Sequence, residues 1–218
     1  MDLTDSYLQM FPEDVLGRYD MREVRNASAV VANTNPTEFR ELVTVLRYFA
    51  LTKEDILRPG KNEGQIAKRL NRAFRDAGWR EGRYDTKITS LLRLMPYKPS
   101  GEKRATVVET EVLNEGYKVD NVKGEVALDV EWNAKDGNLD RDVSAYRALY
   151  EAGIVAAGVV LTRTMSDLRE LGRELGRPRF LATTTTTNLG KLEPRLTRGD
   201  AGGCPLLAIA ITARCYQS

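Results

Sequence analysis

The 218 residues contain no histidine. That absence excludes Ser-His-Asp and Cys-His catalysis, His-ligated zinc, and hydrolysis driven by a histidine base. Only two cysteines occur, Cys204 and Cys215, both near the C-terminus, so neither a disulfide framework nor a zinc site can be built from them. They read as reduced, partly buried thiols. No Walker loop or G-x-G-x-x-G follows a candidate strand, which leaves nucleotide binding without support. Long apolar runs are missing too. The longest, Ile154 to Leu161, has the length of a strand and falls far short of the ~20 residues a membrane helix needs. Met1 to Tyr7 is polar and acidic, unlike a secretion signal, and a cytoplasmic protein is the expectation. Any hydrolytic chemistry must therefore rest on carboxylates, lysine, or a metal held by oxygen.

Charge is nearly balanced, at +2, but unevenly spread. Lys61 to Arg83 carries seven basic and three acidic residues, whereas Asp120 to Asp142 carries seven acidic and three basic. A basic flank beside an acidic centre suits a protein that grips a polyanion and holds a cation. It equally suits ordinary solvated faces.

Periodicity gives an outline of the fold. Glu23 to Ala32 has strand-like composition around Val24 and Val30–Val31. Thr37 to Ala50 reads as a helix with Phe39, Val43, Leu46 and Phe49 on one stripe. Pro59-Gly60 marks a break, and Asn62 to Ala77 reads as a helix with Ile66, Leu70 and Phe74 inward, ended by Gly78. Its other side carries Lys68, Arg69, Arg72 and Arg75, a solvated basic face or a phosphate contact. Lys98 to Arg104 reads as a loop. Tyr117 to Val122 and Glu125 to Trp132 read as strands joined by a tight turn at Lys123-Gly124. Leu139 to Tyr150 is helical, Ile154 to Leu161 a strand covered on both faces, Met165 to Leu175 helical, Phe180 to Thr184 extended, and Leu206 to Thr212 a last strand. The expected fold is α/β, one domain over 1–218 with a central mixed sheet flanked by helices, residues 1–60 forming an extension and 61–213 the core.

The chemistry concentrates in Val126 to Trp132. Alternation sends Val126, Leu128, Val130 and Trp132 to one face and leaves Asp129 and Glu131 together on the other, roughly 7 Å apart at their Cα atoms. Asp120, just before the turn, can supply a third oxygen ligand. Acids are poor strand formers and like charges on one face repel, so such a strand has little reason to carry them without a cation. A solvent-facing edge with ordinary acids is the competing reading. If the acids do hold a cation, it is a hard one, Mg2+ foremost.

The segment Val119-Asp120 through Asp129-Val130-Glu131-Trp132 resembles the catalytic hairpin of PD-(D/E)xK nucleases. More narrowly, it is similar to the BglII/BstYI family of restriction endonucleases, with the same nine-residue offset from Asp120 to Asp129. Two other stretches carry the likeness: Gly64-Gln65-Ile66 through Asn71 to Gly78-Trp79-Arg80-Glu81, and Arg198 to Pro205 leading into Leu206 to Ile211. The resemblance covers Gly60 to Ala213. The chain departs from the pattern twice: Asp129 stands where BglII and BstYI have Glu, and Glu131 where they have Gln and the superfamily usually has Lys. The related BamHI type also ends its triplet in Glu.

The resemblance implies a restriction-endonuclease-like core that cuts double-stranded DNA at a short palindromic site as a homodimer, with a methyltransferase partner in the same host. Asp120, Asp129 and Glu131 would be catalytic, Asp120 and Asp129 the ligands of Mg2+, with Mn2+ as a substitute. Glu63 and Glu81 are candidates for a fourth acid. The run Thr184, Thr185, Thr186, Thr187, Asn188 offers hydroxyls and an amide to base edges, with Lys135, Lys191, Arg195 and Arg198 near it for phosphates or bases. A β-prone polar loop is the plainer reading of that run. A non-specific or repair nuclease with the same core, and a non-catalytic DNA-binding protein, are the alternatives in function.

Overall fold

The structure, a computed structural model, describes residues 1–58 and 64–217. The chain divides into two compact units, Met1–Gly82 with Val119–Ser218, and Arg83–Lys118. In order, its elements are α1 (Tyr7–Met10), α2 (Glu13–Leu16), β1 (Tyr19–Val24), α3 (Ala27–Thr34), α4 (Pro36–Tyr48), α5 (Lys53–Leu57), α6 (Gln65–Asp76) and β2 (Arg80–Leu94). There follow β3 (Thr106–Lys123), β4 (Val126–Val130), α7 (Gly137–Glu151), β5 (Ala157–Arg163), α8 (Ser166–Glu174), α9 (Leu189–Arg198) and β6 (Leu206–Ile211).

The strands form one mixed sheet in the order β1-β6-β5-β4-β3-β2. The inner strands β4, β5 and β6 are parallel neighbours, and every residue of each is buried. Helices cover both faces of such strands, so their sequences read as unbroken apolar runs. The sheet turns antiparallel on both sides of this core, β1 against β6 and β3 against β4. The expected α/β fold with a central mixed sheet is what forms.

The β3–β4 hairpin is set by its turn. Lys123 pairs with Val126 across Gly124 and Glu125, and Gly124 has φ +53°, open to glycine without strain. A side chain there would also strike Asn35 Oδ1 at 2.8 Å. The hairpin is latched to the helices by Glu41 of α4, which accepts from Lys123 Nζ at 2.5 Å and from Trp79 Nε1 at 2.8 Å. The expected helix around Ile66, Leu70 and Phe74 is α6, with those three side chains buried and Gly78 at φ +93° beyond its end.

Several local expectations need correction. Val30 and Val31 lie in α3; β1 ends at Val24 and left-handed Arg25 and Asn26 turn the chain into that helix. The strand after α7 begins at Ala157, because Gly153 at φ +69° ends the helix and leaves Ile154 exposed. Phe180 to Thr184 is no strand. Phe180 is buried, and Leu181 takes φ +53°, which breaks an extended run. The break at Pro59-Gly60 lies outside the described residues. Cys204 and Cys215 are free and fully buried. No helix of the described residues is long and apolar enough to cross a membrane.

One close contact links fold to site. The α7 residue Tyr146 lies flat on Gly158 of β5, where a Cβ would meet its ring at 2.6 Å. Gly158→Ala is therefore expected to lower the unfolding free energy by about 1–3 kcal/mol through overpacking. Urea denaturation measures this, and an unchanged midpoint would show that the helix can retreat freely.

Candidate active site

Asp120 and Asp129 meet across the hairpin. The Asp120 amide donates to Asp129 Oδ1 at 2.8 Å, and the Val130 amide lies 3.3 Å from Asp120 Oδ2. Asn71 of α6 donates to that same Asp120 oxygen at 3.3 Å, while accepting from Asn121 Nδ2 at 2.7 Å. On the far side, the Tyr146 hydroxyl sits 2.7 Å from Asp129 Oδ2 and 2.9 Å from the Val159 carbonyl, with one proton to offer the two. Asp129 is thus oriented from both sides.

Glu131 follows β4 and keeps its alignment through its own amide, which donates to Leu161 O at 2.8 Å. Its carbonyl accepts from the hydroxyls of Thr162 and Thr187. The sequence allowed a solvent-facing pair of acids; instead Asp129 and Glu131 are 4% and 7% exposed. Asp142 of α7, 3% exposed, lies against Glu131. One oxygen each of Glu131 and Asp142 is buried without a hydrogen-bond partner.

Burial and mutual repulsion dominate the electrostatics. Desolvation, then the charge of Asp120, pushes Asp129 up to about 7; desolvation, then Asp129 and Asp120, pushes Glu131 up to about 7. Asp142 is pushed up to about 10 by desolvation and by its neighbours Asp129 and Glu131. Acids so placed cannot all be charged at neutral pH without a counter-charge. Among the described residues no three acids or cysteines stand in a finished metal-holding arrangement. The donor chemistry nevertheless fits a hard cation: oxygens only, two of them orphaned, with protons or a cation needed to balance the charge.

The sequence brought Asp120, Asp129 and Glu131 forward; the structure bonds Asp120 to Asp129 and sets Glu131 within reach of their charge. It adds Asn71, Tyr146 and Asp142. Their signals were positional: Asn71 follows Leu70 on the inward side of α6, and Asp142 and Tyr146 follow Leu139 at helical spacing on the buried side of α7. Glu81 is not in the cluster; it lies 3.8 Å from Arg75 on the surface. Glu63 lies outside the described residues.

The threonine run adds a short ladder beside the catalytic strand. Thr186 bridges to Lys135, the Thr187 amide donates to Ala134 O, and the Asp136 amide donates to Thr185 O. Thr184, Thr185 and Lys135 are exposed, whereas Thr186, Thr187 and Asn188 are buried and already bonded. Thr186 accepts from Arg163, Thr187 donates to Glu131 O, and Asn188 caps α9 by accepting the Lys191 amide. The flanking cations are paired: Lys191 with Asp136, Arg195 with Asp140 at 2.7 Å, and Arg198 with Asp200 at 2.7 Å. Arg163 is a buried strut, donating to Trp132 O at 2.6 Å as well as to Thr186.

A cleft of about 1260 Å³ opens beside the end of β4. Its wall includes Trp132 to Lys135 and the cations Arg58, Lys68, Arg69, Arg177 and Arg179, against the acids Glu54 and Asp55. The basic face of α6 contributes Lys68 and Arg69 to it.

A mixed six-stranded sheet flanked by helices, with a hairpin of buried acids, is consistent with the restriction-endonuclease-like fold. The model of the restriction endonuclease BglII/BglIII family matches residues 19–211, and the chain belongs to that family. It is a DNA-cleaving enzyme. No curated protein matches it closely.

Titration links the site to stability. Asp129 and Glu131, raised to about 7, bind protons in the folded state that an unfolded chain with pKa values near ~4 has released. Their contribution is complete below pH ~4 and is lost as pH rises through ~7; Asp142 extends the loss toward about 10. Without divalent cation the melting temperature should fall between about pH 5.5 and about pH 8, and saturating Ca2+ should raise it by several degrees more at the higher pH. Scanning fluorimetry reads both; equal Ca2+ shifts at the two pH values would contradict the site's charge balance.

Proposed function

We propose that the chain is a type II restriction endonuclease that hydrolyses double-stranded DNA at a short palindromic site, with Mg2+ as cofactor, Mn2+ as a substitute and a homodimer as the working form. The observation that carries this reading is the contact between Asp120 and Asp129, with Glu131 in electrostatic reach of both, on a hairpin whose second strand runs on into the wall of a basic cleft through Val130 and Trp132 to Lys135. A two-fold pair of such sites matches a two-fold DNA sequence, one strand cut by each subunit. Its setting would be the cytoplasm of a host that protects the same sequence with a methyltransferase.

Asp120 and Asp129 would hold the metal, for the backbone of one is bonded to the carboxylate of the other and their side chains are fixed from outside by Asn71 and Tyr146. Mg2+ supplies Lewis-acid polarisation of the phosphoryl oxygen and makes water more acidic. Glu131 is the group we assign to proton removal from the attacking water, since one of its oxygens is uncommitted and it is pushed up to about 7. Asn71 and Tyr146 position the ligands without touching DNA.

In the grip on DNA, Lys135, Thr184 and Thr185 have exposed side chains on one ladder and would make the direct contacts. Thr186, Thr187 and Asn188 would act by holding that ladder to the catalytic strand. Lys191, Arg195 and Arg198 would reach phosphates by exchanging their present carboxylate partners.

Incubation of the protein with plasmid and Mg2+ should give discrete fragments. Asp129→Asn should slow cleavage by at least ~10³-fold, about 4 kcal/mol of transition-state stabilisation, yet bind duplex DNA at least as well in the absence of metal because repulsion of phosphate is reduced. A smear would overturn sequence specificity. Near-normal cleavage by Asp129→Asn would overturn the site.

A further inference from the structure

Asp120 is followed on β3 by a second polar residue, Asn121, which pairs with Leu128 across the hairpin and is wholly buried. Its amide nitrogen donates to Asn71 Oδ1 at 2.7 Å, a shorter bond than the 3.3 Å from Asn71 to Asp120. Asn71 is itself buried, in the stretch of α6 that also buries Ala67, Leu70 and Phe74. The other end of the Asn121 amide is in a different state. Its Oδ1 is buried and has no hydrogen-bond partner. A dry acceptor without a donor costs stability, and an aliphatic side chain at 121 would not bring one.

The direction of the bonds accounts for that oxygen. A primary amide accepts at one end and donates at the other. An ionised Asp120 can only accept, so Asn71 must turn its NH2 group toward it. The Asn71 carbonyl then faces Asn121, where only a donor satisfies it. Asn121 therefore presents its own NH2 group, and its oxygen is left over. Donation runs one way, from Asn121 through Asn71 to Asp120 Oδ2, the same oxygen that the Val130 amide faces at 3.3 Å. With an apolar residue at 121, the Asn71 amide could turn over and set its carbonyl against the carboxylate.

We propose that Asn121 is a positioning residue of the nuclease: by holding Asn71 in one of its two amide orientations, it keeps the Asp120 carboxylate presented to the divalent cation. The proposal rests on the reading of Asp120 as a metal ligand. Mn2+ binding to the full chain without DNA, followed through the paramagnetic resonance of the free ion, tests it. Asn121→Leu, which keeps the branching of the side chain, should raise the Mn2+ dissociation constant about 10-fold or more, the loss typical of an outer partner of a metal ligand. Asn121→Ala removes the donor in a second way and carries the same expectation, with thermal melting as the check on folding. In plasmid cleavage the Mg2+ concentration for half-maximal rate should rise by a similar factor, while the rate at saturating Mg2+ stays within about threefold of wild type, a split that a general loss of structure would not give. Asn71→Ala should weaken Mn2+ binding alike, and Asn121→Leu added to it should cost nothing further, because the two residues act as one chain. Separate, additive losses in that double variant overturn the relay. Unchanged Mn2+ affinity in Asn121→Leu and Asn121→Ala, beside a wild type that binds, overturns the proposal and leaves Asp120 as a ligand. Loss of cooperative melting in both variants makes Asn121 a structural residue and overturns it too. A wild type that binds no Mn2+ overturns the proposal together with the reading of Asp120.

Discussion

The bond from the Asp120 amide to Asp129 Oδ1 is the constraint on which the site depends. It ties the side chain of one strand to the backbone of the next, so a change in hairpin register would separate the two acids. The register itself is held from outside, by Gly124 in the turn and by Glu41 gripping Lys123 and Trp79. The parallel core strand β5 then fixes β4 from its other edge and carries the carbonyl of Val159 to the Tyr146 hydroxyl. Positioning in this protein is thus mostly backbone work, with few side chains free to drift.

The buried acids differ in a way that separates support from chemistry. Glu23 is fully buried, and its carboxylate accepts from Ser6 at 2.6 Å, from the Ser28 amide at 2.7 Å and from Thr4 at 3.3 Å. It is a satisfied structural acid, and it ties the N-terminal segment to the start of α3. Glu131 and Asp142 are nearly as buried but each keeps an oxygen with no donor. An orphan carboxylate oxygen costs free energy wherever it stays dry. The structure tolerates two of them side by side, next to Asp129, where a cation would relieve both.

Much of this was legible in the amino-acid order. The alternation in Val126 to Trp132 placed Asp129 and Glu131 on one face, and the apolar runs marked β5 and β6. What the order could not convey was burial: α7 closes over Asp129 through Tyr146, and no local pattern tells that a helix will land there. The helix α9 was hidden by Pro194 within it and by a basic flank that looked like a binding segment. The outer parts of β2 and β3 were missed for a different reason. Thr86 to Leu94 and Thr106 to Asn114 are rich in β-branched residues, but charge and apolar side chains mingle on one face, so the alternation is blurred until the ion pairs show which residues share a side.

In the proposed mechanism a divalent cation would replace protons on the buried cluster of acids. Calorimetric titration of Ca2+ into the metal-free protein near pH ~6.5, repeated in buffers of different ionisation enthalpy, counts the protons released on binding. With Asp129 and Glu131 both pushed up to about 7, binding should release roughly one proton or more per site. Ca2+ binding that releases no protons, or no binding at all, would contradict it.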